Sequence, residues 1–395
     1  MALNPFNWTG PVTEAVSRGP FTARVAGILK GGTHMALFGP RGTGKTTFLG
    51  ELAGDLGKEQ DSDAPEWELV IVDLRRAISL PAFIGSVLDG LDNHPSKRLR
   101  RRARGLLREA EKEIGVDFGV VKGGLRTGRR EINEAEVLHA QLAALGRVAD
   151  RVVVALDEFQ RLNTCPGQPL SIIRSALMGP DMAGHVSLLL TGSLRERLEL
   201  MLHSDKEPIW DQTLDLELPG LDGTKFIDYL EHRFEATGRP IDERAIEHLV
   251  ELTDLHPKRT QHLAWYVWDH ATAGTAIETG DVQAAFEELL DTSAYNSDFA
   301  RAIDTLLSGN DTEVNEVRAL FLLGAGGSPG SDLEAKRYGL TDGDATARAL
   351  IRLKDRGMVS RREGRWHIVD PLLAEWLKRQ DPLGSDQRLL RGGAD

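Results

Sequence analysis

Short apolar runs that end at polar residues recur through the first 220 residues of the chain. The clearest is RVVVALD at residues 151–157, a continuous apolar run that ends in Asp157 and is followed by Glu158. A continuous run of this kind is typical of a parallel strand that is buried on both faces. Four further runs complete a predicted five-stranded parallel sheet, at residues 35–38, 68–73, 185–190 and 213–218.

Helical periodicity replaces these runs in the rest of the chain. Apolar residues recur at spacings of three and four within residues 223–290, which predicts three or four amphipathic helices. Residues 311–380 predict a winged helix, in which three helices precede a two-stranded hairpin. We expect these helices at residues 316–323, 332–338 and 344–356, and the hairpin strands at 358–360 and 366–369.

The bulk composition is that of an ordinary globular protein. With 395 residues, of which 41% are hydrophobic and 27% charged, the chain predicts two or three domains. No apolar run approaches the roughly 18 residues of a membrane helix, and we expect no signal peptide. Cys165 is the only cysteine, which favours a reducing, cytoplasmic location. The formal charge of −12 argues against a protein that coats nucleic acid with its whole surface.

A phosphate-binding motif follows the first predicted strand. Residues 39–46, GPRGTGKT, fit the pattern G-x-x-x-x-G-K-[ST] at every fixed position. The glycines let the backbone curl so that successive N–H groups converge on a phosphate, and the next helix directs its N-terminal dipole at the anion. We expect Lys45 to neutralise β- and γ-phosphate charge and the Thr46 hydroxyl to hold Mg²⁺. The predicted cofactors are ATP and Mg²⁺, and the predicted nucleotide-binding residues are Gly39, Pro40, Arg41, Gly42, Thr43, Gly44, Lys45, Thr46 and Thr47.

The adjacent carboxylates Asp157 and Glu158 follow a predicted strand at the edge of the sheet where ligands bind in open α/β folds. Beside a phosphate-binding loop, Asp157 is predicted to hold Mg²⁺ through water. Glu158 is then predicted to be the base that polarises the attacking water. The alternative is a pair that caps a helix, because acidic residues are favoured in a first helical turn.

A third strand end carries Thr191-Gly192-Ser193. A hydroxyl at this position could hold the γ-phosphate or the attacking water. The alternative is a strand-to-helix turn in which Ser193 caps the helix, and the sequence leaves both interpretations open.

Taken together, these motifs resemble the prokaryotic AAA+ ATPases of the archaeal-type group, relatives of the STAND proteins and of the origin-recognition initiators. The resemblance extends over residues 4–380, from NPFNWTGPV through the phosphate loop, DEFQ and TGS to FIDYLEHRFEATGRPI and HPKRTQHLAWYVW. It implies a RecA-like αβα domain, a helical lid and a C-terminal winged helix.

The resemblance also implies roles for particular residues. Lys45 and Thr46 match the Walker A motif, and Asp157 and Glu158 match Walker B. Sensor 1 falls at Ser193 or Thr191, and the sensor 2 region places Arg259 near the γ-phosphate. The chain departs from the family pattern at Leu255, where a glycine usually precedes His-Pro. The N-terminal stretch lies near the adenine in such ATPases, and candidates for an arginine finger are Arg195 and Arg197.

A basic stretch interrupts the predicted ATPase core. Seven of the twelve residues in 97–108 are Lys or Arg, arranged around an apolar helical face. That face comprises Leu99, Ala103, Leu106, Ala110 and Ile114, and the alternation of Val116, Phe118 and Val120 then predicts a half-buried strand. The basic residues could bind nucleic-acid phosphates or an acidic partner. The alternative is a solvated helix face with internal ion pairs.

Basic residues also concentrate in the predicted winged helix. Candidates for contacts with a DNA backbone are Arg348, Arg352, Arg361, Arg362 and Arg365. Against DNA binding, the third helix opens with Asp342 and Asp344 at the end that should meet the bases. Winged helices also serve as protein contacts, so either partner is compatible with the pattern.

The predicted organisation is therefore an ATPase core at 1–220 with a basic insertion at 91–135, a lid at 221–297, a winged helix at 298–381 and a tail at 382–395. The leading hypothesis is an ATPase whose turnover drives or resets a rearrangement of the lid and winged helix, possibly on DNA. The alternatives are a slow nucleotide-gated switch or scaffold that recruits a protein, and a DNA-binding regulator. A homo-oligomer is also compatible with the sequence, and no membrane partner is expected.

Overall fold

The computed structural model describes residues 3–10, 15–57, 67–118, 133–193, 195–362 and 364–380. The chain forms two compact units. The sheet unit comprises Ser17–Gly39 and Lys45–Pro219. The helical unit comprises the described residues of Met1–Val16, Pro40–Gly44 and Gly220–Asp395. Within the described ranges, no helix is both long and apolar enough to cross a membrane.

The sheet unit contains the predicted five-stranded parallel sheet. Its strand order is β2-β3-β4-β1-β5, and every neighbouring pair is parallel. The predicted strands are confirmed, with ends that differ from the prediction by at most two residues. They are β1 (Met35–Phe38), β2 (Trp67–Asp73), β3 (Arg151–Asp157), β4 (Val186–Gly192) and β5 (Leu214–Glu217).

Helices cover both faces of the sheet, which explains why the central strands β3 and β4 are apolar along most of their length. These helices are α1 (Pro20–Lys30), α2 (Lys45–Gly57), α3 (Leu80–Asp92), α4 (Lys97–Ile114), α5 (Glu134–Leu145) and α6 (Pro169–Leu177), and α7 (Arg195–His203) is the last helix among the described residues of this unit. In β3, Val153 and Ala155 pack with α1 and α2, while Val152, Val154 and Leu156 pack with α3, α5 and α6 on the opposite face.

The basic stretch is helix α4, which Ser96 caps by accepting from the backbone N–H of Leu99. Its buried side chains are Leu99, Ala103 and Leu107, while Leu106 is only half-buried.

The predicted strand at 116–120 is wrong where the structure describes it, and Val120 lies outside the described residues. Gly115 ends α4 in the left-handed conformation, and the backbone N–H of Phe118 then donates to Glu111 Oε1 over 2.9 Å. Phe118 is buried and helical, so it does not form the predicted strand with Val116.

The helical unit begins with four helices in the region predicted as a lid: α8 (Gly223–Ala236), α9 (Glu243–Leu252), α10 (Pro257–His270) and α11 (Thr279–Asp291). Their apolar faces share one core with the rest of this unit. Buried residues include the predicted Phe226, Leu230 and Phe234 of α8. Helix α12 (Ser293–Leu307) runs through the position at which the predicted lid ends and the predicted winged helix begins.

The C-terminal elements follow the predicted order of three helices and a hairpin, and the structure adds a last helix that was not predicted. They are α13 (Asp311–Gly324), α14 (Asp332–Arg337), α15 (Gly343–Asp355), the antiparallel strands β6 (Val359–Arg362) and β7 (Arg365–Ile368), and α16 (Pro371–Arg379). Helix α13 begins five residues before the predicted start, because Asn310 and Glu313 form a capping box there. The assignment of these elements as a winged helix stays a prediction.

A close approach of α3 to the edge strand β2 gives a test of the packing. A Cβ at Gly90 would lie 2.5 Å from the carbonyl oxygen of Ile71, so Gly90→Ala should push the helix from the sheet. We expect the free energy of unfolding to fall by about 1–3 kcal/mol, measured as a lower urea midpoint. The matched control is Gly27→Ala in α1, where nothing lies within 4 Å of the added Cβ. That variant should be neutral or slightly stabilising, and equal midpoints for the two variants would contradict the packing argument.

Candidate nucleotide-binding site

The loop that joins β1 to α2 has the backbone that a phosphate cradle requires. Gly42 and Gly44 have φ values of 82° and 91°, in the left-handed region that favours glycine. The loop starts beside the end of β4, where the backbone N–H of Gly39 donates to the carbonyl of Gly192 over 3.3 Å. Thr43 Oγ1 donates to the carbonyl of Pro40 over 2.8 Å. Of the predicted nucleotide-binding residues, Gly39 to Gly44 precede α2 along the chain, and Lys45, Thr46 and Thr47 begin this helix.

Two side chains at the start of α2 point to different surroundings. Lys45 is buried, and its Nζ donates to the carbonyl of Gly39 over 2.5 Å. Thr46 is exposed, and its hydroxyl donates to Asp157 Oδ2 over 3.3 Å. Thr47 is half-buried and Arg41 is exposed. The predicted Walker A hydroxyl and the predicted Walker B carboxylate are therefore in direct contact.

Asp157 is a buried carboxylate held by two hydroxyls. Its Oδ1 accepts from Thr191 Oγ1 over 2.5 Å, whereas Thr46 donates to its other oxygen, Oδ2. Burial raises the pKa of Asp157, the Thr191 hydrogen bond opposes this effect, and the negative charge of Glu158 adds to it. Asp73, which ends the neighbouring strand β2 in register with Asp157, raises the pKa further. The sequence prediction missed Asp73, although it ends a strand as Asp157 does.

Glu158 has an unusual backbone and is held through its side chain. Its φ of 60° and ψ of 40° lie in the left-handed region, just before the 3₁₀ turn Phe159–Thr164. Its side chain makes no hydrogen bond that caps this turn, so the capping interpretation is not supported. Instead, Glu158 Oε2 accepts from Gln160 Nε2 over 2.5 Å and from Ser193 Oγ over 3.2 Å.

The two candidates for sensor 1 thus contact different carboxylates. Thr191 donates to Asp157, whereas Ser193 donates to Glu158. Gln160, which the sequence prediction also missed, touches both Glu158 and Ser193. The motif DEFQ contained it two residues after Glu158, but a spacing of two does not place side chains together in a regular element.

The side chains present suit Mg²⁺ held jointly with a nucleotide. Thr46 and Asp157 offer one hydroxyl and one carboxylate, which are hard oxygen donors within 3.3 Å of each other. The described residues contain no group of three or more His, Cys, Asp or Glu that could hold a metal. Mg²⁺ usually takes only one or two protein ligands and completes its shell with phosphate oxygens and water. The donor set therefore fits this mode of binding and not an all-protein cage.

Within the helical unit, the loop segment Pro40–Gly44 contacts the start of α10. His256 Nε2 lies 3.1 Å from the carbonyl of Arg41, and the backbone N–H of Lys258 donates to the carbonyl of Gly42 over 3.3 Å. A Cβ at Gly42 would lie 2.6 Å from His256 Cε1. Gly42 is therefore required both by its φ and by this close approach. Burial lowers the pKa of His256, so the imidazole is neutral at pH 7.

Arg259, the predicted sensor 2 residue, forms an ion pair with Asp370 in the same unit. Its Nε donates to Asp370 Oδ1 over 2.9 Å, and a second contact joins Nη2 to Oδ2. Asp370 also caps α16 by accepting from the backbone N–H of Leu372. Leu255, which replaces the family's glycine, has a φ of 49°, so the chain keeps the backbone conformation that favours glycine. The role of Arg259 at a γ-phosphate stays a prediction.

The N-terminal segment packs on α10. The rings of Trp8 and His262 stack with centroids 3.9 Å apart, and Asn4 Nδ2 donates to the carbonyl of Trp265 over 3.0 Å. Burial lowers the pKa of His262 to about 3, and the positive charges of Arg259 and Lys258 act in the same direction. His262 is therefore an uncharged aromatic surface at pH 7. A location near the adenine stays a prediction, and the side chains of Arg195 and Arg197 lie outside what the structure describes.

Comparison with known proteins identifies a domain and a fold. Residues 28–201 match the sequence model of the AAA domain. No curated protein matches the chain. A Walker-type ATPase of Pyrococcus abyssi, paby2304, has a TM-score of 0.63 at 17% identity, over 94% of this chain and 99% of that chain. The Aeropyrum pernix ORC2 protein, in ADPNP–ADP complexes, has a TM-score of 0.59 at 16% identity, over 98% and 97% of the two chains. At these identities the likeness shows a shared fold.

The buried charge of Asp157 predicts a stability effect. Because burial raises its pKa, ionisation costs the folded protein stability. That cost is absent at a pH where both the folded and unfolded carboxyls are protonated, and it develops as the pH rises through the carboxyl range. Asp157→Asn should therefore raise the free energy of unfolding at neutral pH, and the gain should shrink as the pH falls towards about 4.

Urea denaturation over this pH range measures the effect. The control is Asp205→Asn, which changes an exposed carboxylate and should leave the midpoint close to that of the wild type. A lower midpoint for Asp157→Asn at neutral pH would show that the carboxylate stabilises the fold, contrary to the argument.

Proposed function

We propose that the protein binds ATP with Mg²⁺ and hydrolyses it, because residues 28–201 match the AAA-domain model and the chain shares the fold of the Walker-type ATPase of Pyrococcus abyssi. The observation that carries the proposal is the contact between Thr46 of the phosphate loop and Asp157, beside the adjacent carboxylate Glu158. The fold of ORC2, a protein described in ADPNP–ADP complexes, gives independent support for a nucleotide site.

Each residue has a separate task in the proposed reaction. The backbone N–H groups of the loop and the Lys45 ammonium bind the phosphates, and Thr46 and Asp157 hold the metal. Bound Mg²⁺ supplies neutralisation of phosphate charge. Glu158 accepts a proton from the water whose oxygen bonds to the γ-phosphorus, while the bond from the γ-phosphorus to the β–γ bridging oxygen breaks and ADP leaves. Ser193 orients this water or a γ-phosphate oxygen. Arg259 is proposed to reach the γ-phosphate after leaving Asp370.

Contacts within the helical unit support coupling of the nucleotide to the C-terminal elements. The loop residues Arg41 and Gly42 contact His256 and Lys258 at the start of α10, and Arg259 one residue later is bound to Asp370 of α16. A change in the loop would therefore act directly on the helix that carries this ion pair. We propose that nucleotide turnover drives or resets a rearrangement of these helices.

A second candidate function is a slow, nucleotide-gated switch or scaffold that recruits a protein partner. The observation in its favour is that Glu158 Oε2 already accepts two hydrogen bonds, from Gln160 and Ser193. A base that is engaged in this way is less available to water, so turnover would be slow while binding stays tight.

Replacing the proposed base separates these functions. Glu158→Gln should lower kcat by about 10²–10⁴-fold, because the amide cannot accept the proton, while the affinity for a fluorescent ATP analogue changes little. Lys45→Ala should instead abolish binding of the analogue. Turnover is measured as phosphate release.

The control for this experiment is Glu113→Gln on an exposed position of α4, which should keep wild-type turnover. Turnover by the wild type that survives in Glu158→Gln would contradict the assignment of the base. Tight binding without any turnover by the wild type would favour the switch.

DNA is a further proposed partner, and the structure sorts the five candidate arginines. Arg352 is paired with the buried Glu316, with Nε and Oε1 3.0 Å apart. Arg361 donates to the carbonyl of Gly364, while Arg348 and Arg365 are exposed. The side chain of Arg362 lies outside what the structure describes.

On α4, Arg102 and Arg104 face Asp150 and Asp92, which weakens the case for residues 97–108 as a phosphate-binding surface.

If the C-terminal elements bind DNA, the double variant Arg348→Glu/Arg365→Glu should weaken binding to a duplex at low salt. The slope of log K against log salt should become less steep by about 0.9 for each phosphate that the variant no longer neutralises. Fluorescence anisotropy at several salt concentrations measures this slope. The control is Arg244→Glu on an exposed position of α9. Equal affinities and slopes for the two proteins would exclude these arginines as DNA contacts.

A further inference from the structure

Gln160 occupies a position that the proposed reaction does not explain by itself. It lies in the 3₁₀ turn after Glu158 and is only 3% exposed. Both protons of its side-chain amide are directed at the site: Nε2 is 2.5 Å from Glu158 Oε2 and 3.1 Å from Ser193 Oγ. Ser193 Oγ in turn donates to the same Glu158 oxygen over 3.2 Å. The three side chains form a closed hydrogen-bonded ring.

The packing around the amide shows that this arrangement is built into the fold. A Cβ at Gly192 would lie 2.5 Å from Gln160 Oε1 and 2.2 Å from Leu198 Cδ1. Only glycine at the end of β4 therefore leaves room for the amide beside α7. The left-handed backbone of Glu158 starts the turn that carries Gln160 back to its neighbour.

One atom of the Gln160 amide is in an unfavourable environment, which argues that the amide has a role at the site. Gln160 Oε1 is buried and has no hydrogen-bond partner among the described residues. A buried polar atom without a partner costs about 1–3 kcal/mol, so an apolar side chain of similar length would suit the packing better. What the amide gains in exchange is its hydrogen bond to the Glu158 carboxylate, a charge-assisted bond of the stronger class.

We propose that Gln160 is a positioning residue for the proposed base: it fixes the Glu158 carboxylate and links its orientation to the hydroxyl of Ser193. The inference rests on the proposed ATPase function. When Ser193 turns to a phosphate oxygen or to the attacking water, Glu158 loses one of its two donors and the ring opens. The carboxylate is then held by Gln160 alone and can accept from water. The ability of Glu158 to accept from water therefore depends on whether a phosphate oxygen or a water is bound to Ser193 at the end of β4.

The decisive variant is Gln160→Met, which keeps the length of the side chain and removes both donors. We expect kcat to fall by about 10–100-fold, the range for loss of a hydrogen bond that orients a functional group, with KM and analogue binding nearly unchanged. In the Glu158→Gln background, Gln160→Met should have no further effect, because the residue acts through Glu158.

A matched control exists in the same unit. Gln141 of α5 is fully buried, and both atoms of its amide lack partners among the described residues. Gln141→Met should keep the wild-type kcat. If Gln160→Met keeps it too, while Glu158→Gln abolishes turnover, the proposed function stands and this inference fails. Additive losses in the double variant would also overturn it.

The hydrogen-bonded ring can also be tested by NMR, which does not require ATP turnover. In protein labelled with ¹⁵N only in glutamine, the side-chain amide signal that is missing from Gln160→Met belongs to Gln160. This signal should shift in both Glu158→Gln and Ser193→Ala. If the wild type shows no ATP turnover, the proposed function fails, and the amide signal still decides the hydrogen-bonded ring. An unchanged signal in both variants would refute it.

Discussion

The burial of one carboxylate at the end of β3 constrains the whole candidate site. Asp157 is 6% exposed, so each of its oxygens needs a donor from the protein, and Thr46 and Thr191 supply one each. Thr46 lies at the start of α2 and Thr191 lies in β4, and the hydrogen bonds therefore tie the N-terminus of this helix to two neighbouring strand ends. Asp73 and Glu158 add negative charge beside this buried group. The negative charge that is concentrated here lowers the stability of the folded protein, and a bound cation would neutralise it. A site that is built for binding and costs stability is an example of the trade-off between stability and activity.

Much of the fold could be predicted because its signals are local. A continuous apolar run bounded by polar residues identifies a buried parallel strand, and the phosphate-loop pattern fixes the turn and the helix after β1. The resemblance to archaeal-type AAA+ ATPases is confirmed by the AAA-domain match and by the shared fold. The strand predicted at Phe118 was wrong: this residue is helical and follows the left-handed Gly115 that ends α4. Alternation of three apolar residues is too short a pattern to distinguish a strand from a helical turn.

The finer chemistry of the site could not be predicted, because it depends on contacts between distant residues. Arg259 and Asp370 are 111 residues apart, and nothing in either segment indicates that they form an ion pair. The contact of His256 with Arg41 joins residues 215 positions apart. Motif matching assigns one residue to one role and is silent on which neighbour holds it. Glu158 illustrates the limit: its position after a strand was predictable, but its left-handed backbone and its partners were not.

Two buried glutamine amides, those of Gln141 and Gln160, show when an unpartnered polar atom indicates a function. Gln141 and Gln160 both place amide atoms in the core of the sheet unit without partners among the described residues, so an unsatisfied amide alone does not indicate a function. The difference lies in what the remaining atoms do. The amide of Gln141 makes no hydrogen bond to any described residue, whereas that of Gln160 donates to the Glu158 carboxylate and to the Ser193 hydroxyl, both of which belong to the proposed site. Gly192 leaves space beside this amide that a Cβ would fill, because an added Cβ would lie 2.5 Å from Gln160 Oε1. Gln160 therefore combines an unpartnered amide oxygen, a hydrogen bond to Glu158 and a space that Gly192 leaves open. The proposed chemistry of Glu158 explains this combination better than packing does.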